Sequence, residues 1–302
     1  MTPAETTAYL APKGFEAELA HELGADADDL GGLFLAPGPP RTVAWAANVW
    51  FAPRRLKIAS IADGARQLRA IQRNWALCPL QLHRRAALIQ DKLPHVSAKP
   101  LKFPAPAPTA PLGSWALLNP DEILASAACS SPFPNGEVAF VEDKAGPPNR
   151  AYLKLWEALT VLGRRPGKGD VCLDLGSSPG GWTWALAQLG ARVISVDKAP
   201  LAPAVARLAN VESRRASAFA LKPADIGAVD WLFSDVVCYP DRLHRLVSAW
   251  IESGLARTVV CTVKFQGETD FAAQGRFSAI PGGRLCHLHH NKHELTWMWS
   301  RS

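Results

Sequence analysis

Four residues of this sequence could together activate an alcohol, and we call them the tetrad: Lys154, Asp235, Lys264 and Glu294. A hydroxyl group is a poor nucleophile until a positioned base takes its proton. A lysine can be that base when its pKa is depressed, and a second cation and partial desolvation both push the pKa down. We therefore interpret Lys264 as the base, with the two carboxylates orienting it and holding Lys154. For any single pair, an ordinary surface ion pair is the alternative.

Each member of the tetrad lies at or near the end of a predicted element, on the rim where open α/β sheets bind ligands. Beyond Asp170, strands and helices alternate, which predicts an α/β, Rossmann-like, mostly parallel sheet. We predict strands at 171–175, 191–197, 230–235, 258–265, 284–289 and 295–299, and a clear helix at 240–253. No long helix separates the last two strands, so we expect them to be antiparallel neighbours at a sheet edge.

A glycine-rich turn follows the first of these strands, with the sequence Asp174-Leu175-Gly176-Ser177-Ser178-Pro179-Gly180-Gly181-Trp182. Its glycines let the backbone approach a ligand closely, and Pro179 predicts the first turn of a helix that runs to Gly190. The spacing differs from the pyrophosphate fingerprint G-x-G-x-x-G, which disfavours a nicotinamide cofactor. A structural strand-to-helix turn is the alternative interpretation.

An acid, Asp197, ends the second predicted strand and is placed to accept hydrogen bonds from a ribose diol. A helix N-cap ahead of Pro200 is the alternative role for that carboxylate. Together, the turn and the acid fit an adenosine moiety without phosphates, and they favour S-adenosylmethionine (SAM) as the cofactor.

The length of 302 residues and the hydrophobic content of 48% suit two domains, which we place at 1–143 and 144–302. No long uncharged apolar run exists, and the first five residues are not followed by a signal-like segment. We therefore expect a cytoplasmic protein without a membrane span. The six cysteines are scattered without a C-x-x-C pair, which indicates reduced core thiols.

The net charge of +6 is concentrated in one segment, since residues 51–102 contain eleven lysines and arginines but only Asp63 and Asp91 as acids. A helix over 65–77 would place Arg66, Arg69 and Arg73 in one stripe able to follow a phosphate backbone. The candidate RNA-binding residues in this segment are Arg66, Arg69, Arg73, Arg84 and Arg85. A solvated helix face is the alternative.

Several motifs resemble the FtsJ family of RNA ribose 2′-O-methyltransferases, in particular its branch that acts on large-subunit ribosomal RNA. The family motifs are Asn149-Arg150-Ala151-Tyr152-Leu153-Lys154, the glycine-rich turn, Ser234-Asp235, Val263-Lys264-Phe265-Gln266-Gly267 and His293-Glu294. The resemblance to the branch rests on Ser131-Pro132-Phe133-Pro134-Asn135-Gly136, Val196-Asp197-Lys198-Ala199-Pro200 and Pro12-Lys13-Gly14-Phe15-Glu16. The resemblance implies that the tetrad is catalytic. It also implies SAM contacts from Ser178, Pro179, Gly180, Gly181 and Asp197, to which we add Gly176, Trp182, Ala151 and Asp235. Ser217 stands where the family usually has an acid that contacts the adenine amino group, so we expect a weaker contact there.

The N-terminal region is predicted as a small α+β module, and the resemblance implies a shortened, THUMP-like RNA-binding domain. His287, His289, His290 and His293 are spaced so that a metal is conceivable. No acid or cysteine cluster completes a ligand set, however, and we expect no metal. We expect the histidines to line the RNA side of the cleft.

The sequence thus predicts SAM-dependent 2′-O-methylation of a ribose in 23S ribosomal RNA, with ribosomal RNA as the partner. A non-catalytic RNA-binding or ribosome-assembly factor that retains the fold is the alternative. A methyltransferase acting on a base nitrogen or a small molecule is disfavoured. It would need an Asn/Asp-Pro-Pro-Tyr/Phe motif where this chain has Asp235-Val236-Val237-Cys238.

Overall fold

The computed structural model describes residues 6–301, so the first five residues considered above lie outside the described part. The chain forms two units. One unit holds the residues up to Lys102 together with Ala107–Ala139, and the other holds Phe103–Pro106 together with the residues from Phe140 onward. No described helix is long and apolar enough to span a membrane. All six cysteines are free thiols, and four of them are buried, as expected.

Two small sheets, three α-helices and a short 3-10 helix at Pro134–Gly136 build the described part of the first unit, which is an α+β arrangement. Its elements are β1 (Thr6–Leu10), α1 (Glu16–Leu23), β2 (Asp28–Asp29), β3 (Leu33–Pro37), β4 (Asn48–Phe51), β5 (Arg54–Lys57), α2 (Ile61–Ile71), β6 (Trp75–Leu77), α3 (His83–Gln90), β7 (Gly113–Asn119), β8 (Glu122–Ser126) and β9 (Ala128–Cys129). The strand orders are β2-β3-β1-β4-β9 and β5-β8-β7-β6. Leu68, Ile89 and Trp115 belong to one buried core that joins the second sheet to α2 and α3.

The predicted stripe of three arginines on a helix at 65–77 is wrong. Helix α2 ends at Ile71, and Arg73 lies beyond it. The cause is the burial of Trp75, which starts β6 and whose indole N–H donates to the Leu68 carbonyl at 2.9 Å. Arg66 forms an ion pair with Asp63 of its own helix, and Arg69 donates to the carbonyl of Lys92 at 3.0 Å.

The second unit contains one seven-stranded sheet. Its elements are α4 (Tyr152–Leu162), β10 (Val171–Leu175), α5 (Gly181–Gln188), β11 (Arg192–Asp197), α6 (Pro203–Ala206), β12 (Val211–Arg215), α7 (Pro223–Ile226), β13 (Val229–Ser234), α8 (Pro240–Ser253), β14 (Ala256–Lys264), α9 (Phe271–Ser278), β15 (Gly283–Cys286) and β16 (Glu294–Ser300). The order is β12-β11-β10-β13-β14-β16-β15. The first five strands in that order are parallel, whereas β16 is antiparallel to both of its neighbours. The predicted mostly parallel, Rossmann-like sheet with its last two strands antiparallel to each other is confirmed, and the reversed strand, β16, lies one position in from the edge.

Helix α5 begins at Gly181, two residues later than the predicted start at Pro179. Gly180 lies between them with a φ of +114°, a conformation that a helix cannot include and that favours glycine. The glycine-rich turn is therefore longer than predicted, and it leaves more backbone outside the helix at the end of β10.

Candidate active site

The sheet topology brings the four tetrad side chains together at one end of adjacent strands. Asp235 directly follows β13, Lys264 ends β14 and Glu294 begins β16, and these three strands are successive neighbours. Lys264 lies directly opposite Glu294 in the antiparallel β14–β16 pair. Lys154 reaches the same place from α4. Residues that are up to 140 positions apart in the sequence therefore share one cluster.

Each lysine of the tetrad bridges both carboxylates. Lys154 Nζ lies 3.0 Å from Asp235 Oδ1 and 2.6 Å from Glu294 Oε1. Lys264 Nζ lies 2.6 Å from the same Asp235 oxygen and 2.8 Å from Glu294 Oε2. The four side chains are 7% to 19% exposed. The tetrad is therefore one largely buried, charge-balanced network, and the alternative of ordinary surface pairs does not apply.

Thr262 belongs to this network and was missed in the sequence analysis. Its hydroxyl donates to Asp235 Oδ1 at 2.6 Å, so that oxygen accepts three hydrogen bonds. Thr262 precedes Lys264 by two residues on β14, and alternate residues of a strand share a face. That spacing was the signal that could have identified it.

The ion pairs decide the charge state of Lys264. Burial on its own lowers the pKa of this lysine, but the carboxylates of Asp235 and Glu294 outweigh burial and raise the pKa above its ordinary value. Burial on its own raises the pKa of Asp235 and of Glu294, but the two lysines outweigh burial. The pKa of each carboxyl is therefore below its ordinary value. The expected depression of the Lys264 pKa is therefore wrong for this arrangement. The second cation, Lys154, is paired with the same two carboxylates.

A further buried carboxylate, Glu157, fixes the segment that leads to Glu294. Glu157 Oε1 accepts the N–H of His289 at 2.7 Å, and Oε2 accepts the N–H of His290 at 2.9 Å and lies 2.6 Å from the Nδ1 atom of that imidazole. Glu157 follows Lys154 by three residues on α4, so one helix both supplies a tetrad member and anchors the approach to another. This i, i+3 spacing could have revealed it.

The histidines near Glu294 make local contacts. His287 Nε2 lies 3.0 Å from the Lys292 carbonyl, and His293 Nε2 lies 2.8 Å from the Thr269 hydroxyl. Strand β15 ends at Cys286, so the strand predicted at 284–289 is shorter than expected, and His287 and His289 lie beyond its end. Within residues 6–301, no group of three or more His, Cys, Asp or Glu side chains is arranged to hold a metal ion.

The glycine-rich turn has no room for side chains at two of its glycines. A Cβ on Gly176, whose φ is +76°, would lie 2.6 Å from Val236 Cβ, and one on Gly181 would lie 2.1 Å from Asn149 Oδ1. Asp197 supports the turn, since its Oδ2 accepts the Ser178 N–H at 3.0 Å. Its other oxygen accepts the Ala199 N–H at 2.8 Å. Asp197 does not cap α6, which begins at Pro203.

A cavity of about 210 Å³ opens beside this turn. Three predicted cofactor residues line it, namely Gly176, Asp197 and Ser217. The residues that the sequence analysis missed there are Lys198, Ala218, Phe219, Val236, Val237 and Arg242. The Arg242 guanidinium lies 3.8 Å from the centroid of the Phe219 ring. No sequence pattern predicts this contact, because Phe219 lies in the segment after β12 and Arg242 lies on α8.

The other predicted cofactor residues lie around the turn. Ser178, Pro179 and Gly180 form the turn itself, and the Ser178 hydroxyl donates to the Pro200 carbonyl at 2.8 Å. Trp182 is buried at the start of α5, where its indole N–H donates to the carbonyl of Ala151 at 2.9 Å. The segment before α4 is thereby attached to the turn.

Asp174, at the end of β10, is buried with a single hydrogen-bonded oxygen. Its Oδ2 accepts from the Thr183 hydroxyl at 2.6 Å, whereas Oδ1 has no hydrogen-bond partner among the described residues. Burial raises the pKa of this carboxyl to about 7. The folded protein therefore holds the Asp174 proton to a much higher pH than the unfolded chain does.

We expect the contribution of Asp174 to stability to be fully present below pH 3.8 and to be lost as the pH rises through about 7. Asp174→Asn keeps an acceptor for Thr183 and removes the titration. The unfolding free energy of the wild type should therefore fall relative to that of the variant as the pH is raised from 4 to 8. Urea unfolding across that range measures the difference, and a difference independent of pH would contradict this prediction.

Known proteins resemble this chain over the same region. Residues 147–262 match the family described as FtsJ-like methyltransferase. A protein of Halorhodospira halophila named "Ribosomal RNA large subunit methyltransferase M" is 37% identical over 157 residues, which cover 49% of this chain and 46% of that protein. A protein of the same name from Marinobacter nauticus is 35% identical over 183 residues, covering 55% of this chain and 50% of the relative.

A third relative of that name, from Xanthomonas oryzae pv. oryzae, is 30% identical over 255 residues, which cover 78% of this chain and 68% of the relative. The chain thus spans about half the length of the first two relatives and more than two thirds of the third. From these matches and the mixed Rossmann-like sheet, we conclude that the chain belongs to the FtsJ-like methyltransferases, in the group named ribosomal RNA large subunit methyltransferase M.

Proposed function

We propose that this chain transfers the methyl group of SAM to a ribose 2′-hydroxyl of large-subunit ribosomal RNA. The observation that carries the proposal is the buried tetrad, in which two ammonium groups and two carboxylates lie close together at the carboxyl ends of β13 and β14. A protein that only binds RNA has no use for such a network. The names of its relatives support ribosomal RNA as the substrate class.

The cavity beside the glycine-rich turn suits the adenosine end of SAM. Gly176 lines the cavity without a side chain of its own, so a ligand there can approach the backbone of the turn. Asp197 is a carboxylate at the end of β11, where it can accept hydrogen bonds from the ribose diol. We propose cofactor contacts from Gly176, Ser178, Pro179, Gly180, Gly181, Trp182, Asp197, Asp235, Ala151 and Ser217. When bound, SAM supplies a methyl group on a positively charged sulfur.

In this proposal Lys264 Nζ takes the proton of the 2′-hydroxyl. In the resting network its ammonium form is favoured, because two carboxylates contact it. Any cation that enters the cleft opposes this and lowers the pKa of Lys264. Lys154 contacts Asp235 and Glu294 and keeps both carboxylates in place, so the geometry around the base persists while its charge changes. Placing the hydroxyl in line with the methyl group supplies much of the remaining acceleration.

We propose that the first unit binds the RNA, as a shortened THUMP-like module. Arg66, Arg69, Arg73 and Arg84 are exposed there, although they do not form the single helical stripe first expected. Arg85 is half-buried and donates to the Pro120 carbonyl at 2.9 Å. Exposed cations of this kind neutralise phosphates, so RNA affinity should fall as salt is raised.

The proposed function is tested by methyl transfer to RNA. The protein is incubated with methyl-labelled SAM and an unmodified large-subunit ribosomal RNA transcript, and the RNA is then digested to nucleosides. We expect the label in a 2′-O-methylnucleoside. Label on a base would contradict the ribose assignment. Tight binding of RNA and SAM without any transfer, either to the transcript or to an assembling subunit, would favour the non-catalytic alternative.

A further inference from the structure

Two exposed side chains follow the tetrad aspartate within four residues. Val237 is 76% exposed and Tyr239 is 67% exposed, and among the described residues no other large hydrophobic side chain is as exposed as either. Both lie in the segment 235–239 that joins β13 to α8. Exposed apolar groups on a loop next to a candidate active site indicate a binding surface.

The segment holds these two side chains outward in a regular way. Val236 packs against the glycine-rich turn at Gly176, and Cys238 and Pro240 are buried, so Val237 and Tyr239, which alternate with them, face the solvent. Val237 also lines the cavity beside the turn. The segment therefore connects the tetrad, through Asp235, with the proposed cofactor cavity.

The fold itself gives the Tyr239 ring no role. Tyr239 occupies the N-cap position of α8, but its side chain makes no capping hydrogen bond, and Pro240 supplies the first residue of the helix. A small polar residue would serve the helix start better. The aromatic ring is exposed and is therefore open to a ligand.

Positively charged side chains lie near this segment, together with the carboxylates of Asp197, in the same cavity, and Asp241, two residues after Tyr239. Lys198 and Arg242 line the same cavity as Val237, and Arg245 follows on the exposed face of α8 one turn later. Aromatic rings bordered by cations are the combination that binds unstacked nucleotides, since the ring stacks on a base while the cations meet phosphates.

We propose that Tyr239, flanked by Val237, is the stacking platform for the nucleobase of the nucleotide whose ribose enters the tetrad. This inference rests on the proposed function. Its occupant is a base that has left its neighbours in the RNA, because an enzyme that acts on a structured RNA must expose its target nucleotide. Stacking tolerates every base, so Tyr239 contributes affinity and placement whichever nucleotide is the target.

The test compares Tyr239→Ala, Tyr239→Leu and Tyr239→Phe in the full chain. The readouts are kcat/KM on the large-subunit ribosomal RNA transcript, Kd for the same transcript, and Kd for S-adenosylhomocysteine. We expect Tyr239→Ala to lower kcat/KM by about 5- to 100-fold, as loss of one base–aromatic stack implies. Tyr239→Leu should show most of the same loss in kcat/KM, since leucine is apolar but has no ring. Tyr239→Phe should stay near the wild type.

The cofactor readout separates this platform from a general disturbance of the cleft. S-Adenosylhomocysteine should bind all three variants as it binds the wild type. Unchanged RNA kinetics in Tyr239→Ala, or an equal loss of S-adenosylhomocysteine affinity, would overturn the platform. If the wild type methylates no ribose, the proposed function fails. The transcript Kd then still decides whether Tyr239 contacts RNA.

Discussion

Lys264→Ala is expected to slow methyl transfer by about a thousandfold, the scale of general-base catalysis, while S-adenosylhomocysteine still binds. The reason is that the variant leaves no amine opposite Glu294 on β14, and Lys154 remains engaged with Asp235 Oδ1 and Glu294 Oε1. Single-turnover rates on the ribosomal RNA transcript measure the loss. A thermal melt establishes that the variant is folded.

The matched control is Lys264→Arg, which keeps a positive charge between the two carboxylates but cannot give up its proton at ordinary pH. It should be as inactive as Lys264→Ala and more stable. In the wild type, the raised pKa of Lys264 means that the free amine becomes commoner as the pH rises. The rate should therefore climb, by about tenfold per unit, through the neutral and mildly alkaline range. Turnover of Lys264→Arg near the wild-type rate would remove Lys264 as the base.

Gly176→Ala is expected to weaken cofactor binding and to destabilise the protein. The added Cβ would lie 2.6 Å from Val236 Cβ and 2.8 Å from Val236 Cα, and the φ of +76° disfavours any side chain. Strain and overpacking together amount to about 2–5 kcal/mol. We expect the affinity for S-adenosylhomocysteine, measured by calorimetry, to fall at least about tenfold because the turn must move.

Gly169→Ala is the control for the backbone strain that a positive φ causes without a steric clash. Gly169 also has a positive φ, +99°, but an added Cβ there would meet no atom within 4 Å. This variant should lose stability through strain and keep its cofactor affinity. Equal losses of cofactor affinity in both variants would mean that closeness to Val236 does not matter, and the role given to the turn would have to be abandoned.

The central strands were predictable because their neighbours bury them on both sides. β10, β13 and β14 are nearly continuous apolar runs, which is typical of parallel strands inside a sheet. β12 was not predicted as a strand, because Val211-Glu212-Ser213-Arg214-Arg215 forms the polar edge of the sheet and pairs on one side only. Apolar runs in the sequence indicate buried strands, and an edge strand is buried too little to show such a run.

The residues of the tetrad could be predicted from the sequence, whereas the direction in which the Lys264 pKa shifts could not. Polar residues at the ends of strands meet at one rim of an open sheet, and this was enough to select Asp235, Lys264 and Glu294. The direction of the Lys264 pKa depended on distances to both carboxylates, which no spacing in the sequence contains. Similarly, the position at which α2 ends depended on the burial of Trp75, which the local sequence pattern does not show.

The position of β16 in the sheet determines when the tetrad can form during synthesis of the chain. This strand follows β14 and β15 in the sequence, yet it lies between them in the sheet. Until it inserts, β14 presents a bare apolar edge, β15 has no partner, and Lys264 lacks Glu294. During synthesis the tetrad can therefore form only after β14 and β15 have been made, and a growing chain that already contains the glycine-rich turn still lacks Glu294.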